Sequence, residues 1–417
     1  MNIKNRLTIM SFLQFFVWGA WLITVGNYWF ASKQWSGAEF GAVFSTLGLS
    51  SILMPALTGI IADKYLNAEK LYGILHILGG LILCYIPQVD SPTYFFWVIF
   101  MAMLCYMPTI SLSNSIAYTI LKNNKFDVVK VFPPIRVWGT IGFIVAMWIT
   151  NLTGNKASAN MFYISAIAAV SLGIYSFFLP KCAPQNLISK DSTLTQKLGL
   201  DAFKLFGTYK VALFLLFSMF LGAALQLTNM YGDTFLSDFS KVPAYENSFV
   251  VKYSTIIMSI SQISETLFIL AIPFFLKRFG IKQVMLISMV AWVLRFGLFA
   301  YGDPSGGLWM IILSCIVYGM AFDFFNISGS LFIETSTDSS IRSSAQGLFM
   351  MMTNGFGAVL GSSISGYVID KYFTVSGNKD WSSIWLCFAI YAAVITVAFA
   401  LFFKHEHQPE EIKEASH

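Results

Sequence analysis

Twelve apolar runs, each long enough to cross a lipid bilayer, dominate this chain. They lie at about 7–30, 38–62, 71–88, 93–121, 132–152, 160–180, 208–232, 248–276, 282–301, 307–334, 343–369 and 382–403. A helix needs about 20 residues to span the hydrocarbon core. It also bonds its own backbone N–H and C=O groups, which lipid cannot do. The pattern predicts an all-α polytopic membrane protein. Composition closes off the alternatives: 56% of the 417 residues are hydrophobic and 11% are charged, where a soluble domain carries about 25% charged residues. Disorder, a coiled coil, a secreted disulfide scaffold and a water-soluble enzyme are all excluded.

The charged residues report orientation. With the N-terminus inside, 18 of the Lys and Arg residues fall on inside segments and 6 outside, leaving Arg136 and Arg295 in or near the membrane. This is the positive-inside bias, so both termini are expected to be cytoplasmic. It also explains the net charge of +5 without nucleic acid, for which no dense basic stripe is present. Lys4 and Arg6 before an apolar run resemble the start of a signal peptide, but the run is too long and lacks a small-residue cleavage site. It reads as a retained first span.

The longest inside connection, 181–207, carries Pro184, Asn186, Ser189, Ser192, Thr193 and several lysines. It divides the chain into a six-helix bundle at 1–180, a cytoplasmic loop, a second six-helix bundle at 208–403 and a tail at 404–417. Paired six-helix halves are a transporter architecture. Four of the five cysteines fall in apolar runs and none forms a CxxC pair, so they read as packing residues. Of four histidines, His405, His407 and His417 lie in the tail with only His76 elsewhere. No metal or cofactor is expected.

Polar groups inside the runs carry the functional argument. Glu265 and Asp323 sit near the middle of their spans. A charge there costs about 3 kcal/mol on insertion scales, and a carboxyl in a low-dielectric cavity can take up a proton near neutral pH. A structural ion pair is the alternative for each. Arg136, Thr140 and Phe143 share one helix face just after Pro133-Pro134, a pair expected to open the helix locally. Arg136 reads equally as a cavity cation or as a side chain snorkelling to the interface. Arg295, about six residues from the outer end of its run, is expected to snorkel. Gln226 with Asn229, and Gln262 with Glu265, are i, i+3 pairs on consecutive helices. Amides both donate and accept, so the pairs suit a polar solute better than interhelical glue does. Tyr318 and Phe322 give an aromatic face beside Asp323. Gly357 and Gly361 form a small-residue step for close helix approach. Together these residues imply a neutral, hydrogen-bonding, planar solute.

Five stretches carry a likeness to known proteins. The turn Gly59-Ile-Ile-Ala-Asp63-Lys64-Tyr-Leu-Asn-Ala-Glu-Lys70 resembles the loop motif of the major facilitator superfamily, with Lys replacing Arg. That resemblance implies a gating role for Asp63 and Lys64. The stretches Phe132-Pro-Pro-Ile-Arg136-Val-Trp-Gly-Thr140-Ile-Gly-Phe143, Ser259-Ile-Ser-Gln262-Ile-Ser-Glu265-Thr-Leu-Phe, Ala300-Tyr-Gly-Asp303-Pro and Tyr318-Gly-Met-Ala-Phe322-Asp323-Phe-Phe-Asn326-Ile-Ser-Gly resemble the nucleoside:H+ symporter family of that superfamily. The likeness runs from about Ile3 to Phe403. It implies a major facilitator fold with 12 transmembrane helices, proton-driven nucleoside uptake, and a bacterial cytoplasmic (inner) membrane location. It also implies a substrate site at Arg136, Thr140, Phe143, Gln226, Asn229, Gln262, Glu265, Tyr318, Phe322 and Asp323, with Asp323 and Glu265 as proton-coupling groups. The tail from His405 departs from the family.

The expected mechanism is alternating access of the two bundles around a midplane site, with uridine- or adenosine-type nucleosides and protons as substrates. One chain makes a complete unit, so a monomer is expected. Symport of another neutral solute such as a sugar is the alternative. An intramembrane enzyme lacks its motifs here, HExxH among them, and a sensor or channel lacks a sensory domain or filter.

Overall fold

A computed structural model describes residues 2–184, 200–337 and 342–405; within helical segments the side chains of Asp63, Val129, Leu200, Asp201, Arg342 and Ser343 are not described. Asn186, Ser189, Ser192, Thr193, His407 and His417 therefore lie outside the described residues. The chain divides into two compact units, Met1–Leu198 and Gly199–His417.

The first unit contains α1 (Ile3–Gly19), α2 (Gly37–Lys64), α3 (Ala68–Tyr85), α4 (Pro92–Asn123), α5 (Val128–Leu152) and α6 (Asn160–Ser176). Further helical turns carry α1 on to Ser32. Side-chain caps start several helices: Ser36, Ser91 and Asp127 each accept a backbone N–H of the first turn that has no partner within the helix. Pro133 and Pro134 do not open α5, contrary to expectation; the helix runs unbroken from Val128 to Leu152. The two missing N–H donors would have served carbonyls in the first turn, so the ladder beyond is intact.

The second unit contains α7 (Tyr209–Asp238), then one helical segment, Ser254–Tyr301, that breaks at Gly280 (φ 78°, ψ 171°). Only glycine adopts that backbone readily. The break separates α8 (254–279) from α9 (281–301). Next comes α10, Leu308–Ala321 and Asp323–Ser336 joined at Phe322. α11 covers 342–372 with a π-helical stretch at Met351–Gly357, and α12 is Trp381–Phe402. Among the described residues, nine helices are long and apolar enough to cross a membrane. One of them is the double segment α8–α9, and α1 and α6 are 17 residues each. The described residues thus contain the twelve helices expected.

Within the first unit α1 packs on α5, α2 on α4 and α3 on α6. The second unit repeats this order. There α7 packs on α11, Ser264 of α8 donates to Ile316 O of α10, and Ser382 of α12 donates to Ala300 O of α9 at 2.8 Å. Glycines set the first crossing of each unit. A Cβ on Gly142 would overlap the Phe12 carbonyl, and one on Gly222 would overlap that of Thr353. Gly361 of α11 likewise lies against the Ala223 backbone of α7. Large apolar side chains on the spans face outward, among them Leu57, Leu81, Ile167, Leu270 and Val394. Lipid is the solvent that accepts such a surface.

Two polar devices sit between spans. Asp303, linking α9 to α10, accepts from Ser305 Oγ (2.5 Å), Ser305 N (2.7 Å) and Gly307 N (3.1 Å). These bonds from Ser305 hold its carboxyl below the usual carboxylate range. Lys379, in the hairpin before α12, is pushed down to about 8 by burial.

The crossings are testable. Gly222→Ala should destabilise the protein by about 1–3 kcal/mol, the usual cost of overpacking, and lower its melting temperature in detergent. Gly59→Ala, where a Cβ meets nothing within 4 Å, should leave the melting temperature unchanged or higher. Equal behaviour of the two variants would contradict the close approach of α7 and α11.

Candidate functional site

In the first unit, Arg136, Thr140 and Phe143 lie on one face of α5 and are all half-buried. The Arg136 guanidinium stacks over Phe15 of α1, its Cζ 4.0 Å from the ring centre, a cation–π arrangement. Phe143 stands edge-on to Trp18 of α1 at 6.5 Å, and Trp18 leans on Tyr106 of α4 at 5.6 Å. Trp18 Nε1 is buried and donates to none of the described groups.

Behind these rings lies a buried polar network centred on Gln14, whose side chain is 0% exposed. Tyr72 OH donates to Gln14 Oε1 at 2.6 Å, and His76 Nε2 is 2.8 Å from the same oxygen. Because that oxygen only accepts, Nε2 carries the hydrogen. Gln14 Nε2 donates to Thr109 Oγ1 at 2.9 Å, and Tyr106 OH donates to the Gln14 carbonyl at 2.7 Å. The side-chain amide thus joins α1, α3 and α4, and the backbone carbonyl of the same residue fixes the tyrosine against which Trp18 rests.

The second unit gathers the acids and amides. Gln226 of α7 is buried, Asn229 half-buried, and Gln262 and Glu265 of α8 half-buried. The side-chain oxygens of Gln226 and Gln262 have no hydrogen-bond partner among the described residues. Buried acceptors of this kind ordinarily find a donor, and a bound polar solute would supply one. The helix break at Phe322 (φ −95°, ψ −54°) places Asp323 in the first turn of the second half of α10. Ser288 of α9 donates to the Ala321 carbonyl beside the break. Tyr318 is 4% exposed, and its ring meets Trp292 edge-on at 5.8 Å. Glu265, Arg295 and Asp323 all act electrostatically on Tyr318.

Arg295 does not snorkel, which corrects the expectation from its depth. It is 0% exposed. Nε donates to Thr228 Oγ1 of α7 at 3.1 Å. Nη1 donates to Ser261 Oγ of α8 at 3.3 Å and to Ser314 O of α10 at 3.0 Å. The rings of Tyr318 and Phe299 flank it, with centres 4.5 and 5.0 Å from Cζ. Acceptors on three neighbouring helices take up Nε and Nη1 and hold the guanidinium inside the unit.

The chain matches the nucleoside H+ symporter family over residues 1–408. The chain belongs to the nucleoside H+ symporter family. It is 53% identical to the xanthosine permease of Escherichia coli (strain K12), covering 99% of each chain, and 52% identical to the nucleoside permease NupG of the same organism, covering 98% of this chain and 97% of that one. Its structure superposes on a crystal structure of a mutant of the nucleoside transporter NupG with a TM-score of 0.94 at 52% identity, covering 97% of this chain and all of that one. A D-xylose–proton symporter shares the fold alone, with a TM-score of 0.67 at 14% identity. The fold is that of the major facilitator transporters, and the chain is a multi-pass membrane protein, as its family members are.

Within this family frame the two units each bring sequence-identified residues to one region: Arg136, Thr140 and Phe143 in the first, and Glu265, Tyr318 and Asp323 in the second. Lys64 ends α2, and the side chain of its neighbour Asp63 lies outside the described residues. Sequence reasoning missed Gln14, Trp18, Tyr106, Thr228 and Ser261. For the last two a signal existed, since each immediately precedes a member of an amide pair. It also missed two buried acids. Asp233 is 0% exposed, and Glu69 accepts from Cys182 N at 2.9 Å and Asn67 Nδ2 at 3.1 Å.

The Gln14 network predicts a stability effect. Gln14→Leu leaves Tyr72, His76 and Thr109 without their partner, at about 1–3 kcal/mol for each buried group stranded. A fall in melting temperature of several degrees is expected. An unchanged melting temperature would show that the network is not needed for the fold.

Proposed function

We infer that this chain is a proton-coupled nucleoside importer working by alternating access. The observation that carries the reading is family membership along nearly the whole chain, joined to two acids and two amides inside the spans of the second unit, the amides with unmatched acceptor oxygens. Relatives named as nucleoside and xanthosine permeases support nucleosides as the substrate class and transport, rather than catalysis, as the activity. The two acids suit proton exchange, because a carboxyl group exists as either a protonated donor or an ionised acceptor.

Our assignment of roles extends the sequence reading. Substrate recognition draws on Arg136, Thr140 and Phe143 and on Gln226, Asn229, Gln262, Glu265, Tyr318, Phe322 and Asp323. The aromatic rings take the base and the amides take ribose and base edges. Asp323 and Glu265 exchange the proton, while Asp63 and Lys64 serve gating. The protein works as a monomer in the bacterial cytoplasmic membrane with both termini inside. Residues 1–180 and 208–403 form its six-helix bundles, 181–207 the cytoplasmic connection and 404–417 the tail.

Labelled uridine uptake into proteoliposomes with an acidic exterior tests this directly. Accumulation should require the proton gradient, and unlabelled nucleosides should compete while free bases and sugars should not. Accumulation indifferent to the gradient would remove symport, and competition by sugars alone would remove the substrate class. Asp323→Asn and Glu265→Gln should each cut accumulation at least tenfold, about 1.4 kcal/mol. Normal accumulation by both would remove the coupling assignment.

A further inference from the structure

We propose that the open cavity between the start of α7 and the end of α12 is a binding site for an anionic phospholipid, whose phosphate sits at Lys210 and Lys404. The site is independent of the transported solute. It uses only the orientation argued above, which puts this end of the second unit at the inner leaflet.

The cavity measures about 440 Å³. Its polar groups are Tyr209 and Lys210 from the first turn of α7 and Lys404 from just beyond α12. Leu213, Leu401 and Phe402 supply apolar walls. Among the described residues no acidic side chain lines it. This mixture suits a ligand with an anionic head and an apolar body. Basic pockets between spans on the inner side of a membrane take acidic lipid head groups.

Local packing fixes the cations there. α7 and α12 meet through rings, Phe217 on Phe399 at 5.1 Å and Phe214 by Phe403 at 6.4 Å, so their ends stay side by side. Lys210 donates to His405 Nδ1 at 2.7 Å, since an ammonium cannot accept. Its Nζ lies 5.5 Å from the centre of the Phe332 ring. His405 in turn stands edge-on to Phe332 at 5.5 Å and stacks on Phe403 at 6.3 Å. Lys282 of α9 donates to Ala400 O at 3.2 Å and anchors the last turn of α12. Thr208 gives α7 no side-chain cap, and a helix start favours negative charge beside Lys210.

The surroundings favour a lipid over a free phosphate. Ile390, Val394, Val397 and Leu401 are exposed and share one face of α12. They form an apolar strip that leads from mid-span to the cavity. Leu216, exposed on α7 one turn beyond Leu213, adds to it. An acyl chain along this strip buries apolar surface while its phosphate meets the two lysines; a small anion makes no use of the strip. The bound lipid ties the start of α7 to the end of α12 and so stabilises the second unit.

In the test, the full chain is stripped of lipid in detergent and titrated with phosphatidylglycerol, phosphatidylcholine or glycerol 3-phosphate. Its melting temperature is read at each concentration, because a ligand of the folded state raises it by mass action. Phosphatidylglycerol should bind about tenfold tighter or more than zwitterionic phosphatidylcholine. Glycerol 3-phosphate, which lacks acyl chains, should bind about a hundredfold weaker or more. Lys210→Gln and Lys404→Gln should each weaken phosphatidylglycerol about fivefold, and together about twenty-fivefold. Lys122→Gln, in the last turn of α4 in the first unit, should leave the affinity unchanged. Equal affinity for the two lipids overturns the proposal, as does wild-type phosphatidylglycerol affinity in the double variant. Equal binding of glycerol 3-phosphate assigns the cavity to a free phosphate and overturns it too. So does phosphatidylglycerol binding that emerges only with Glu406→Gln, Glu410→Gln and Glu411→Gln combined, because the cavity then belongs to the acidic tail. If Lys210→Gln does not fold without its His405 bond, Lys404→Gln decides alone, since Lys404 is exposed and outside the helix; unchanged affinity there overturns the proposal.

Discussion

A guanidinium with no access to solvent must be satisfied from within, and in the second unit that requirement organises four helices. Arg295 sits on α9 and bonds to α7, α8 and α10 through Thr228, Ser261 and Ser314. An unmet charge at this depth costs about 3 kcal/mol or more, so each of those helices is held in the register that supplies its acceptor. The neighbouring residues inherit that register. Asn229 follows Thr228, Gln262 follows Ser261, and Tyr318 lies one turn beyond Ser314. The polar groups assigned to the solute are thus placed by the same bonds that bury the cation.

The first unit solves the same problem with a neutral group. Gln14 joins α1 to α3 and α4 through Tyr72, His76, Thr109 and Tyr106. An amide costs less to bury than a guanidinium and needs fewer partners, so this network can close on itself. The first unit therefore supplies an aromatic wall, Tyr106–Trp18–Phe143, while the second holds Glu265, Arg295 and Asp323. Glycines at Gly142 and Gly222 let the first helix of each unit approach the fifth. In lipid, where apolar surface gives little drive for helices to associate, such close packing and buried hydrogen bonds carry the assembly.

The helices were legible because hydropathy acts over some twenty residues at once, and no local irregularity cancels it. Local irregularities were not legible. Gly280 ends one helix and starts another with no intervening loop, and Phe322 interrupts α10 although nothing in Tyr318–Asn326 signals a break. The proline pair in α5 misled in the opposite direction, since its effect depends on distance from the helix start. The acids and amides could be picked out because polar groups are expensive in apolar runs. Arg295 was picked out for the same reason, yet its burial was misread. Depth along its own helix suggested the interface, whereas the hydroxyls that hold it lie on three other helices.

That failure separates two kinds of buried charge. Had a carboxylate held Arg295 in a permanent ion pair, both charges would have been fixed and that acid would be poorly suited to carry a proton. Hydroxyls and a backbone carbonyl hold it instead, so the bonds that fix the cation do not depend on the protonation of any carboxyl. Such an arrangement sacrifices some stability, because neutral acceptors compensate a guanidinium less well than an anion does. What it gains is a buried cation whose position is set by four helices rather than by the charge state of a single partner.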